Sequence, residues 1–101
     1  MAISNITEAD YAQAVQIGKV VVDFWAPWCG PCKMQGALLE QKLAPENPEI
    51  AILKVNVDEE PGLAAKFGVM SIPTLVLYKD GKMIDRLVGL TKPDEILAKL
   101  A

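Results

Sequence analysis

The chain has 101 residues, of which 51% are hydrophobic and 23% charged, enough for one hydrophobic core without metal or disulfide staples and too few for two. Ten basic residues against 13 acidic ones give a net charge of -3, which excludes the basic face that nucleic acid or an anionic membrane requires. No apolar run reaches the ~18 residues of a membrane span, and the first ten positions show no basic-then-apolar leader, so a single cytoplasmic domain over residues 1–101 is expected.

In chain order, a short edge strand near Ile3 precedes Thr7, Glu8 and Asp10, which resemble a helix N-cap and an acidic first turn. That helix is predicted to run through about Val15 and to close near Gly18. Lys19 to Ala26 (KVVVDFWA) is nearly all apolar and β-rich, the pattern of a central strand covered on both faces. Lys33 to about Leu43 has helical spacing, with Pro45 and Pro48 expected to end it. Ile50 to Val57 reads as a second strong strand, and Asp58 to Gly68 as a short helix stopped by its glycine. Thr74 to Tyr78 and Met83 to Val88 flank Lys79-Asp80-Gly81-Lys82, whose Asp-Gly pair signals a hairpin. Lys92-Pro93-Asp94-Glu95 opens a last helix. Strands joined by helices pair in parallel and hairpin strands antiparallel, so this order predicts a three-layer α/β/α sandwich around a mixed sheet of four to five strands.

The chain has two cysteines, set as Cys29-Gly30-Pro31-Cys32, and no histidine. A close pair in a reducing compartment serves catalysis or metal binding. Zinc takes four cysteine or histidine ligands, and neither a third cysteine nor a histidine is present to complete that set. Cys29 falls between a strand and the mouth of a helix, where free backbone N–H groups and the helix dipole favour a thiolate. Cys29 is therefore the expected exposed nucleophile and Cys32, one turn later, the thiol that resolves the mixed disulfide. Pro31 loses nothing at a helix start, and Gly30 leaves room for a substrate chain.

Asp23 lies in the middle of a strand of apolar residues. Burial there should raise its pKa and make it the acceptor, through a water, of the Cys32 proton, with Lys54 on the next strand either its charge partner or an exposed lysine. Trp28, directly before Cys29, is expected as a partly exposed ring beside the site. Pro73 stands at a strand start, where proline is tolerated.

Trp25-Ala26-Pro27-Trp28-Cys29-Gly30-Pro31-Cys32-Lys33 resembles the active-site signature of the thioredoxin family. Asp23 resembles its buried aspartate, Ser71-Ile72-Pro73-Thr74 its cis-proline loop, and Val88-Gly89 its substrate-lining glycine segment. The resemblance implies the thioredoxin fold and a protein-disulfide reductase. It works by dithiol–disulfide exchange with no cofactor beyond the Cys29–Cys32 disulfide. Recharging by a thioredoxin reductase is implied, with disulfide-containing client proteins as the other partners and a monomer as the working unit. Clients would lie against Trp28, Gly30, Pro31, Ile72, Pro73 and Gly89, pairing with the backbone before Pro73 as an added strand does. Gly30-Pro31 is similar to the reducing members rather than to the isomerases and oxidases, which carry a histidine between the cysteines. Where the family has a kinking proline this chain has Ala37, so a straighter helix, or one bent at Gly36, is expected. A redox-inert binding module of the same fold is the competing functional class.

Overall fold

The structure is a computed structural model and describes residues 3–101. Its elements are β1 (Ile3–Asn5), α1 (Glu8–Ala14), β2 (Lys19–Trp25), α2 (Gly30–Leu38), a π-helical turn (Leu39–Leu43), α3 (Ala44–Glu46), β3 (Ala51–Asn56), α4 (Pro61–Lys66), β4 (Thr74–Lys79), β5 (Lys82–Val88) and α5 (Pro93–Leu100). They form one five-stranded sheet in the order β1-β3-β2-β4-β5. β1 and β2 both pair in parallel with β3, whereas β4 runs antiparallel to β2 and β5 antiparallel to β4.

β2 sits at the centre because it buries side chains to both faces, and Val20 to Phe24 are all buried. Alternate residues go to opposite sides. Val20, Val22 and Phe24 pack with Tyr11, Val15 and Leu63 beneath α1 and α4. On the other side Val21 meets Leu39, Leu43, Ile96 and Leu100 from the long helix and α5. Asp23 shares the parity of Val21, so its carboxylate points to the α2 side of the sheet.

The hairpin forms as predicted. Asp80 and Gly81 both have positive φ, 50° and 87°, as a two-residue turn matched to strand twist requires. The Asp80 N–H donates to the Gly18 carbonyl and the Asp80 carboxylate accepts the Gly18 N–H, tying the hairpin tip to the end of the α1 connection.

Three local expectations need correction. Thr7 occupies the N-cap of α1, but its hydroxyl donates to Asp10 at 3.2 Å instead of capping the backbone, and the Glu60 carboxylate accepts the Glu8 N–H at 2.8 Å. The helix predicted over Asp58 to Gly68 is shorter, Pro61–Lys66, because the Asn56 side chain accepts the Asp58 N–H and holds that stretch in a turn. Gly68, with φ +60°, follows its end as expected.

The third correction concerns the helix after the cysteines. Pro45 does not end it: the Ala44 N–H reaches back five residues to the Leu39 carbonyl, and the widened turn carries Pro45 into α3. The chain leaves the helix at Asn47, just before Pro48, where φ is -138°, and the Asn47 amide donates to the Leu43 carbonyl at 3.0 Å. The irregularity lies at this π turn rather than at Gly36 or Ala37, through which α2 runs continuously.

Candidate active site

Cys29 and Cys32 are joined by a disulfide, with Cα atoms 5.3 Å apart. Cys29 is the N-cap of α2 and has extended backbone, while Gly30 and Pro31 open the first turn. The Cys32 N–H, one of the free donors at a helix start, points at Cys29 Sγ at 3.2 Å. That donor and the aligned peptide dipoles favour negative charge on Cys29 sulfur once the bond is opened. Cys29 is the more accessible of the pair, at 6% against 2%, yet less exposed than the sequence suggests, because Ile72 packs across the cysteines. Its Sγ lies 3.8 Å from the Ile72 carbonyl oxygen.

The rim of the site is apolar and open. Trp28 is 69% exposed, as expected, and its indole N–H donates to Asp58 at 2.9 Å, which orients the ring. Gly30 and Pro31 are exposed beside it. On the facing wall the Ile72–Pro73 peptide is cis, Ile72 is half-buried and Pro73 buried. The Gly89 N–H donates to the Pro73 carbonyl at 2.8 Å, so the segment after β5 is stitched to the proline loop. Gly89 has φ +91°, a conformation that a side chain would strain. All six residues expected to meet a substrate, Trp28, Gly30, Pro31, Ile72, Pro73 and Gly89, therefore lie on the two sides of the cysteine pair.

The thioredoxin family model matches residues 2–101. The chain belongs to the thioredoxin family. A thioredoxin of Staphylococcus aureus is 50% identical over 100 residues, an alignment covering 99% of this chain and 95% of that one. Among solved structures, mitochondrial thioredoxin 3 of Saccharomyces cerevisiae in its oxidised form superposes with a TM-score of 0.86 at 34% identity, covering 98% of this chain and 93% of that one. A Malassezia sympodialis thioredoxin gives 0.82 at 35% identity, with 97% and 89% covered. The activity is accordingly thiol–disulfide exchange, the reduction of protein disulfides, with Cys29–Cys32 as the redox-active pair.

Asp23, on the α2 side of β2, is fully buried, with neither carboxylate oxygen hydrogen-bonded to protein. Burial pushes its pKa up to about 6, and the positive charge of Lys54 offsets part of that rise. Lys54 is the cross-strand neighbour of Asp23, as the sequence suggests, but no salt bridge closes between them. Its ammonium instead sits 4.5 Å from the centroid of the Trp25 ring, and a Cβ on Gly36 would come within 3.4 Å of it. Lys54 thus occupies a slot between Trp25 and α2 that the missing side chain of Gly36 leaves open.

Several neighbours of the site escaped the sequence reading. Gln35 is fully buried and both ends of its amide bond the backbone of Thr91. The signal was its spacing: Cys32, Gln35 and Leu39 fall at i, i+3 and i+7 on one helical face, so a polar residue there had to be inside. Asp58, the partner of Trp28, carried no signal because the contact spans 30 residues. Arg86 donates to the carbonyls of Phe67 and Gly68 at the end of α4, bracing the loop that leads to Pro73. Among the described residues no three of His, Cys, Asp or Glu gather where they could hold a metal ion, and no helix is long and apolar enough to cross a membrane.

Proposed function

We propose that Cys29 is the attacking thiol and Cys32 the resolving one, with Asp23 as the proton acceptor. The observation that carries this assignment is the position of Cys29 at the mouth of α2, with the Cys32 N–H directed at its sulfur. In the reduced protein the Cys29 thiolate attacks a client disulfide, forming a Cys29–client disulfide while the other client sulfur leaves as a thiolate and takes a proton from water. Cys32 then loses its proton, through a water, to Asp23 and attacks Cys29 Sγ. The Cys29–Cys32 bond forms, the mixed disulfide breaks, and the second client sulfur leaves as a thiolate that takes a proton from water, while Asp23 later returns its proton to solvent. The client gains two electrons and this chain loses two.

The client segment lies in extended form across the cysteines, flanked by Trp28, Gly30 and Pro31 on one side and by Ile72, Pro73 and Gly89 on the other. Exposure of the first three supports a direct contact. Pro73 is buried, so it contributes by shaping the loop that presents the Ile72 backbone. The oxidised chain is recharged by a thioredoxin reductase, and no further cofactor is needed. The restriction of cysteine to the redox pair supports a cytoplasmic address, and the continuous sheet and the net charge support a single-domain monomer that binds neither nucleic acid nor membrane.

Reduction of insulin with dithiothreitol as electron source tests the assignment. Wild type should turn over, Cys29→Ser should be inactive, and Cys32→Ser should accumulate a mixed disulfide on Cys29. Turnover by Cys29→Ser, or trapping on Cys32 in place of Cys29, overturns the roles. A folded wild type with no turnover favours the redox-inert binding module.

A further inference from the structure

We infer that Gln35 is a positioning residue for the protein-disulfide reaction: its amide locks the Gly89–Thr91 wall of the client cleft to the helix that carries the cysteines. The inference rests on the client cleft proposed above and adds the device that sets its width.

Gln35 lies three residues after Cys32, is fully buried, and uses both ends of its amide on a single partner. Nε2 donates to the Thr91 carbonyl at 3.0 Å, and Oε1 accepts the Thr91 N–H at 2.8 Å. Thr91 stands outside β5 and α5, so its backbone has no ladder or helix partner of its own, and it is 4% exposed, out of reach of bulk water. The Gln35 amide therefore does for Thr91 what a neighbouring strand would do. From Thr91 the connection continues: its hydroxyl donates to the Gly89 carbonyl at 3.1 Å, and the Gly89 N–H donates to the Pro73 carbonyl at 2.8 Å. The next residue back, Ile72, presents the carbonyl that faces Cys29 Sγ at 3.8 Å. One hydrogen-bonded path thus leaves the cysteine helix at Gln35 and crosses the wall of the cleft to Pro73, next to the Ile72 carbonyl that faces Cys29.

The chemistry of Gln35 suits this task. Asparagine is too short to match it, an aliphatic side chain would leave the buried Thr91 N–H and carbonyl unpaired, and a charged one would meet the carbonyl or the N–H with the wrong sign. Gln35 touches no reacting atom, and the Cys32 N–H that faces Cys29 does not depend on it. Its loss should loosen the seat of an extended protein segment without altering attack on a disulfide small enough to ignore the wall.

The test is Gln35→Met, which keeps the length and bulk of the side chain and loses both hydrogen bonds. We expect KM for insulin reduction to rise about three- to tenfold, the order set by one or two net hydrogen bonds, with kcat within about twofold. The rate with a small aromatic disulfide and the reduction potential of the Cys29–Cys32 pair should stay at wild-type values. Thr91→Val keeps both Gln35 bonds and gives up the Gly89 bond. It should show a smaller KM rise than Gln35→Met, so the proposal stays testable if one variant fails to fold. An unchanged insulin KM in the folded variants overturns the proposal, as does an equal loss on insulin and on the small disulfide. Wild type that reduces neither substrate removes the redox reading itself, whereas active wild type with an indifferent Gln35→Met removes only the clamp.

Discussion

Replacing Asp23 by asparagine keeps the outline of the side chain and removes its charge, which makes the cost of burying that charge measurable. Burial raises the carboxyl from 3.8 to about 6, some two pH units, and at ~1.4 kcal/mol per unit the ionised form penalises the folded state by about 3 kcal/mol. The folded protein holds this proton more tightly than the unfolded chain does. The stability associated with it is present below pH ~4, is lost as pH rises through ~6, and is flat beyond. The amide that replaces the carboxyl has nothing to titrate. Asp23→Asn should therefore be more stable than wild type at pH 7.5 by up to about 3 kcal/mol, a Tm increase on the order of 10–20 °C for a domain of this size. The difference should shrink toward zero at pH 4. Guanidinium unfolding of the oxidised protein, followed by circular dichroism between pH 4 and 8, gives the comparison directly. A stability difference that does not vary with pH refutes the desolvation argument, and so does a variant less stable than wild type at pH 7.5. The same variant should resolve the Cys29 mixed disulfide more slowly near neutral pH, and an unchanged rate removes Asp23 from the proton path.

The buried Tyr11 and Tyr78 hydroxyls bond each other at 2.9 Å, and burial raises the pKa of both. Tyr78→Phe should cost about 1–3 kcal/mol by leaving the Tyr11 hydroxyl unpaired, while the double Tyr11→Phe/Tyr78→Phe variant should cost less than the two single changes added, as a denaturation double-mutant cycle will show. Trp28→Ala removes an exposed ring held by Asp58 at 2.9 Å. It should lower kcat/KM for insulin roughly five- to thirtyfold with little change in stability, the size expected for loss of an aromatic anchor worth about 1–2 kcal/mol.

Much of this protein is written in local pattern. The apolar run around Asp23, the Asp80-Gly81 turn and the placement of Cys29 and Cys32 at a helix mouth follow from the physics of neighbouring residues, and the structure keeps all of them. Parallel pairing through helices and antiparallel pairing through the hairpin follow from those pieces in turn. Where local signals competed, the sequence was a poorer guide. Pro45 reads as a helix stop, yet the π turn at Leu39–Leu43 needs no donor from it, and only packing of Leu39 and Leu43 against the sheet decides that the helix goes on.

Tertiary structure alone decided what surrounds the disulfide. Whether Lys54 would pair with Asp23 or stack on Trp25 depended on the slot beside Gly36, which no sequence window contains. Gln35 and Thr91 are 56 residues apart, and their bonds exist because α2 and the segment after β5 converge at one end of the sheet. The chain by itself determined the reacting sulfurs and the helix start that favours charge on one of them, since those are set within a single turn. The fold determined how far Cys29 is covered, which carboxylate lacks a partner and what ties Thr91 to the cysteine helix, because each of those depends on side chains brought together from distant strands and loops.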